Sequence, residues 1–345
     1  MNYLPLSTPS LVTEKNYHLS NIKAIGTVQN YLITSIIGGD HLYPVFIATS
    51  IDSVSTSKNS LVVLKAIPTS DTRASFENEC SVFRLKASHK NVIKCIEILN
   101  NVRLDFGEYK GKEYHIFVLP YYSNGDLLDF LENARLDERT ARYYFEQILD
   151  AVEYMHSQGL AHRDLKPENF LINEDFDIVL TDFGHTVRHS DTFGPKLFNG
   201  RDAITTPELC PPEFYSGKGY KAAEMDIFAL GKLLFSLATG FSPFSSANGK
   251  DSKFSMIANG NWAKYWILTM GFLKQKRIKI EEFSPEFKDL VERLLHPNPK
   301  SRPSIEEIRE SSWFANIKPR SRDEVQTMMI RSSYSFKNES REEKM

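Results

Sequence analysis

The sequence predicts an α+β fold in two parts: a small β-rich N-terminal part with one main helix, and a larger helical C-terminal part. Three observations carry this. Runs of β-formers crowd residues 31–119, apolar residues recur at helical spacing from Asp137 onward, and Ala222 to Thr239 is apolar nearly all round, as expected of a helix buried within a lobe. At 345 residues the chain has room for both parts and a sizeable core.

The elements follow in order. Residues 1–30 are mixed and Ser/Thr-rich and read as an N-terminal extension. Tyr31-Leu32-Ile33, Val45-Phe46-Ile47 and Leu61-Val62-Val63-Leu64 are strand-like runs separated by Gly, Pro, Asp or Ser, with a polar loop from Asp52 to Ser60. A helix is predicted over about Arg73 to Lys86, where Phe76, Cys80 and Phe83 fall at i, i+4 and i+7. Two more strands are expected near Val92 to Ile98 and Tyr114 to Leu119, giving five strands and one helix before Pro120.

Beyond Pro120 the pattern turns helical. Ala141, Tyr144, Phe145, Ile148, Val152 and Met155 keep helical spacing between Asp137, a suitable N-cap, and Gly159, a suitable C′ residue. The buried helix at 222–239 carries a carboxylate, Asp226, on a face expected to be buried. Ser284 to Leu295 and Ser304 to Ser311 read as surface helices. The tail, residues 315–345, is Ser/Arg/Glu-rich over Arg320 to Met345 and is predicted to be disordered. The alternative for the tail is a short amphipathic, calmodulin-binding element around Val325, Met328, Met329 and Arg331.

Composition excludes several classes. A net charge of −2 with a charged fraction of 25% gives no electrostatic case for nucleic acid or an anionic membrane. Cys80, Cys95 and Cys210 lack metal-ligand spacing and read as reduced thiols. The first residues lack a secretory pattern, and no stretch approaches an uncharged membrane span. The expectation is a soluble protein of the cytoplasm, with the nucleus left open.

The chemistry concentrates in His162-Arg163-Asp164-Leu165-Lys166-Pro167-Glu168-Asn169. Within one short loop stand a carboxylate, an ammonium and a carboxamide: Asp164, Lys166 and Asn169. That set suits a hydroxyl attacking a phosphoryl group, with an orienter or base for the hydroxyl, a cation for the transferring oxygens and a neutral oxygen ligand for Mg²⁺. Nothing in turn chemistry requires this order of side chains. Asp182-Phe183-Gly184 follows the apolar run Ile178-Val179-Leu180 and supplies a second metal-binding carboxylate at a turn.

With these motifs, and with Pro211-Pro212-Glu213, Asp226-Ile227-Phe228-Ala229-Leu230-Gly231 and Arg302 in matching order, residues 31–314 resemble a eukaryotic protein kinase of the serine/threonine type, with the calcium/calmodulin-dependent-kinase-like group as the candidate subgroup. The resemblance implies a bilobal kinase fold, residues 31–119 forming the N-lobe and 120–314 the C-lobe. It implies ATP and Mg²⁺ as cofactors, protein Ser/Thr hydroxyls as acceptors and an upstream activating kinase as a partner. Asp164 and Lys166 then act in transfer, while Asn169 and Asp182 hold metal. Lys65 holds the α- and β-phosphates and needs a carboxylate from the following helix. Of Glu77 and Glu79, helical phase favours Glu79, which flanks the Phe76/Phe83 stripe.

For the nucleotide, the resemblance places Val45, Val63 and Leu171 around the base, Leu119 at the back of the adenine pocket, and Tyr121 in the hinge. Asp126 and Glu168 match positions that contact ribose or a basic substrate residue. Thr206 matches a threonine that touches the catalytic Asp and Lys, and Glu213 is expected to pair with Arg302. Ser190, Thr192 and Thr205 are the candidate phosphate acceptors, with Arg163 as the phosphate's expected partner.

The glycine-rich loop departs from the family pattern. Gly38 and Gly39 are present, but Asp40 and Tyr43 replace the later glycines and Pro44 lacks an N–H. The expectation is weaker ATP binding. The competing functions are a pseudokinase scaffold and a small-molecule phosphotransferase on the same fold.

Overall fold

The computed structural model describes residues 24–51, 61–72, 74–133, 136–191, 194–199, 206–276 and 283–330. These fall into two compact units. One holds the residues up to Gly125 except 89–91; the other holds 89–91 and everything from Asp126 on.

The N-terminal unit is built on a six-stranded antiparallel sheet. Its strands are β1 (Gly26–Val28), β2 (Tyr31–Gly38), β3 (Val45–Ser50), β4 (Leu61–Pro68), β5 (Glu97–Arg103) and β6 (Glu113–Pro120), in the order β1-β2-β3-β4-β6-β5. The two-residue period sorts β4 cleanly. Val62, Leu64 and Ala66 enter the core with Phe46, Ala48, Ile116 and Val118. Val63 and Lys65 stand on the opposite face, Lys65 paired in register with Val45 and Phe117, and Val63 with Ile47 and Leu119. Helix α1 (Ser75–Phe83) lays its Phe76/Phe83 stripe against Phe117, with ring centroids 5.3 and 5.0 Å away.

Two boundaries differ from the sequence expectation. The sheet begins at Gly26, within the stretch assigned to an extension, because β1 hairpins onto β2 and buries Val28. The strand expected near Val92 to Ile98 instead starts at Glu97. Val92 makes no more than a single bridge and Ile93 has no strand backbone, yet both are buried, so burial in the core accounts for more of that apolar run than a strand does.

The C-terminal unit is mainly helical, with three short two-stranded sheets among its described residues. Helices α2 (Leu127–Asn133) and α3 (Glu138–Ser157) precede strands β7 (Leu160–Ala161), β8 (Phe170–Ile172), β9 (Ile178–Leu180), β10 (Val187–Arg188), β11 (Ser190–Asp191) and β12 (Gly194–Pro195). There follow α4 (Ala222–Thr239), α5 (Ser252–Ala258), α6 (Trp262–Gln275), α7 (Pro285–Leu294), α8 (Ile305–Arg309) and α9 (Ser312–Asn316). Asp137 caps α3 by accepting from the Thr140 N–H, and Gly159 ends it at φ 74°. Helix α4 is the buried axis of the unit. A Cβ on its Gly231 would lie 2.8 Å from Leu294 Cβ, so glycine there sets the close approach of α7.

The tail also differs. Residues 322–330 form a further helix, with Val325 and Met329 buried. Residues 331–345, including Arg331, lie outside the described residues, as do Thr192 and Thr205.

Candidate active site

In the N-terminal unit, Lys65 projects from β4 toward α1 and forms an ion pair with Glu79. Glu79 is 1% exposed, whereas Glu77 faces solvent beside Arg84. The phase of the helix thus delivers Glu79, and not Glu77, to the lysine. Val45, Val63 and Leu119 surround Lys65 on the same sheet face, offering an apolar surface next to a fixed ammonium. Tyr121 follows β6, half-buried.

Gly38 ends β2, and Gly39 turns the chain at φ 78°. A Cβ on Gly39 would lie 1.9 Å from the Tyr43 carbonyl oxygen, so no other residue fits without a shift. The Asp40 side chain then accepts from the N–H groups of Leu42 and Tyr43 at 2.8 and 2.9 Å. Asp40 therefore does more than bring charge to the loop: its carboxylate sits on backbone donors of the kind that bind phosphate. The Tyr43 hydroxyl donates to Asp71 Oδ1 at 2.8 Å, and Asp71 Oδ2 accepts from the Ser75 N–H at 3.0 Å. Asp71 thereby satisfies the first turn of α1, where Ala74 offers no side-chain cap.

In the C-terminal unit the loop 162–169 is pinned from below by Asp226. Its two carboxylate oxygens accept from the N–H groups of His162 and Arg163, each at 2.8 Å, and His156 Nε2 adds a third contact at 2.8 Å. Arg163 sits at φ 65°, a strained conformation for a non-glycine residue that these bonds hold in place. The buried His162 ring is kept neutral chiefly by loss of solvation. It accepts at Nδ1 from the Asp164 N–H and donates at Nε2 to the Thr181 carbonyl.

Asp164 is 1% exposed and gathers the reactive groups. Lys166 Nζ lies 3.0 Å from its Oδ2, Asn169 Nδ2 donates to its Oδ2 at 2.9 Å, and the Thr206 hydroxyl donates to its Oδ1 at 2.6 Å. Burial pushes the Asp164 carboxyl up, but Lys166, His185 and Thr206 outweigh it and hold it below the usual range. Burial likewise lowers Lys166, and Asp164 more than restores it. Both groups are charged at neutral pH.

The β8–β9 hairpin brings Asp182 to this loop. Phe170 pairs with Leu180, and the Thr181 N–H donates to the Asn169 carbonyl at 2.9 Å. Asn169 and the residue before Asp182 are thus bonded neighbours. With its Nδ2 committed to Asp164, Asn169 keeps Oδ1 as an acceptor, and Asp182 adds a carboxylate. A carboxamide oxygen and a carboxylate oxygen are hard donors of the kind that suits Mg²⁺.

Asp126 bridges to Leu171 on β8. Its carboxyl is pushed up to about 6, first by burial and further by the like charges of Asp129 and Glu168, against the opposing Asp129 and Leu128 N–H groups. Glu213 and Arg302 form a buried two-pronged pair at 2.6 and 2.7 Å. Arg163 reaches the His185 carbonyl and the Tyr220 hydroxyl. Sequence reasoning missed His156 and Tyr220, because neither stands in a motif and each acts only through a residue that does.

Residues 47–314 match the family described as the protein kinase domain. Curated relatives include CBL-interacting serine/threonine-protein kinase 20 of Arabidopsis thaliana, 35% identical over 238 residues, covering 69% of this chain and 48% of that protein. CBL-interacting protein kinase 12 of Oryza sativa subsp. japonica is 34% identical over 243 residues, covering 69% of this chain and 39% of its own length. The chain spans about half the length of the curated relatives it matches, or less. A domain match over most of the sequence, on an α+β fold that gathers the motif residues as above, means that the chain belongs to the protein kinase family.

Proposed function

We propose that this chain is a serine/threonine protein kinase that transfers the γ-phosphoryl group of ATP to protein hydroxyls. The observation that carries the reading is the Asp164 cluster: a carboxylate, an ammonium and a hydroxyl within hydrogen-bond reach of one another, beside a carboxamide oriented by the same carboxylate. An incoming hydroxyl takes the place that Thr206 holds at Asp164. A carboxyl held this low is a weak base, so it orients the hydroxyl first and receives its proton late, as oxygen bonds to phosphorus and the bond to ADP breaks. Lys166 offsets charge on the transferring oxygens. Lys65, fixed by Glu79, holds the α- and β-phosphates, while Val45, Val63, Leu119 and Tyr121 contact the base. Mg²⁺, when bound by Asn169 and Asp182, neutralises phosphate charge.

Lys166 supports an aliphatic acceptor. The carboxylates of Asp126, Asp129 and Glu168 support an arginine-containing substrate. Ser190 on β11, following the segment tied to Arg163, is the described candidate for activation by an upstream kinase. Among the described residues no helix is long and apolar enough to cross a membrane. The free thiols of Cys80, Cys95 and Cys210 suit the reducing cytoplasm.

The test is transfer of label from Mg²⁺-ATP to a mixed protein substrate, followed by acid hydrolysis. Phosphoserine and phosphothreonine are expected; label only in phosphotyrosine overturns the assignment.

A further inference from the structure

The turn that joins β8 to β9 is costly by itself. Phe176 is left-handed at φ 60°, and two carboxylates, Asp175 and Asp177, flank it. Asn173 Oδ1 accepts from the N–H groups of both aspartates at 2.9 Å, which closes the turn but leaves two negative charges side by side. The cation that meets them comes from far along the chain. Arg322 pairs with Asp177, and with Asp175 at 3.1 Å, while Gln326 Nε2 donates to the Asp175 carbonyl at 3.1 Å.

Asp177 is also the link to the strand behind it. Its Oδ1 accepts from the Tyr143 hydroxyl at 2.6 Å and from Gln147 Nε2 at 3.1 Å. The other end of that amide, Gln147 Oε1, accepts from the Ile178 N–H at 3.0 Å and from Asn91 Nδ2 at 3.1 Å. The Asn91 carbonyl in turn accepts from the Leu180 N–H at 2.8 Å. Every N–H of β9 that points away from β8 is thereby held by a side chain or carbonyl of this network, and β9 runs directly into Asp182.

Exposed ion pairs alone are weak. Here the pair is one point of a longer attachment. Val325 and Met329 are buried, the Arg320 guanidinium grips the N-cap residue Asp137 and donates from Nε to Thr140 Oγ1 at 3.0 Å, and the Arg320 N–H donates to the Arg139 carbonyl. Helix α3, which supplies Tyr143 and Gln147, is thus held by the same segment at its first turn.

We propose that residues 318–330 are an intramolecular strap, with Arg322 as a positioning residue that sets the β8–β9 hairpin and through it the spacing of Asn169 and Asp182. The strap touches neither nucleotide nor hydroxyl. It rests on the kinase reading of those two ligands, and its effect falls on the Mg²⁺ requirement.

The experiment uses the full chain with Arg322→Glu and Arg322→Lys. Two readouts are taken, neither needing transfer: amide hydrogen exchange over residues 178–182, and the Mg²⁺ concentration that half-saturates binding of a non-hydrolysable ATP analogue. With Arg322→Glu the exchange is expected to quicken about tenfold and the Mg²⁺ requirement to rise about fivefold, both recovering with Arg322→Lys. Unchanged exchange overturns the strap. Faster exchange with an unchanged Mg²⁺ requirement overturns the positioning role and leaves Arg322 a structural residue. Failure of the kinase reading shows separately, as an absence of phosphoryl transfer in the unaltered chain.

Discussion

Asp40 changes the meaning of the degenerate glycine loop. A carboxylate near a phosphate site repels it, but this one also spends the Leu42 and Tyr43 N–H groups on itself. Phosphate must displace it or bind without those donors. Asp40→Gly is therefore expected to lower the Michaelis constant for ATP, by about three- to tenfold if one or two hydrogen bonds are recovered. An unchanged value in steady-state kinetics contradicts this. Tyr43 differs, because its hydroxyl supports Asp71 at the start of α1. Replacing Tyr43 by Gly adds freedom to the loop and removes that support, so Asp40→Gly is the cleaner probe. A second expectation concerns Asp126, whose carboxyl is pushed up to about 6. It is charged above that pH and neutral below it, so its attraction for a substrate arginine is present at pH 7.5 and lost as the pH falls through 6. The ratio of kcat/KM for an arginine-containing peptide to that for its alanine counterpart should fall between pH 7.5 and 5.5, and in Asp126→Asn the ratio should not change with pH over that range.

The elements differ in how far the sequence reveals them. Helix α3 announces itself by cap, period and C′ glycine, and α4 by apolarity nearly all round; both occupy the expected residues to within a position. Helix α6 was missed, because exposed Ile267 and Leu268 interrupt its stripe. The tail helix at 322–330 was legible only as the alternative to disorder, because Val325 and Met329 make a short buried face and its partner Asp177 is distant in sequence. The loop 162–169 was legible because its chemistry is contiguous, and Glu79 because helical phase separates it from Glu77. The hold of Asp226 on strained Arg163 was only half legible, as a carboxylate on a buried helix without its partners. Helix α4 is also the base for the Glu213–Arg302 pair, since Arg302 donates to the Glu224 carbonyl and stacks on Phe228. Arg302→Met strips its partner from Glu213, whose side chain is only 11% exposed, and is expected to cost about 3–5 kcal/mol. That loss should lower the melting temperature by on the order of 10 °C in a scanning calorimeter, and a shift under 2 °C contradicts it.

At the scale of the molecule, two compact units divide the chemistry. The N-terminal unit fixes a lysine against a buried glutamate on an apolar sheet face. The C-terminal unit carries the loop, the hairpin and the segment anchored by Glu213. The family assignment follows from residues 47–314, and the proposed transfer chemistry rests on the charged groups that each unit holds by itself. The glycine-loop departures from the family pattern, at Asp40, Tyr43 and Pro44, lie where the proposed function puts the nucleotide, and none falls on Asp164, Lys166 or Asn169. Catalysis should therefore depend on Asp164 far more than on the loop. The most direct test is the rate of phosphoryl transfer from saturating Mg²⁺-ATP to protein serine and threonine by the unaltered chain and by Asp164→Asn, each confirmed folded by its melting curve. Transfer by the unaltered chain with a loss of about 10²–10⁴-fold in Asp164→Asn is the predicted result; equal rates in the two, or no transfer by the folded unaltered chain, would contradict it.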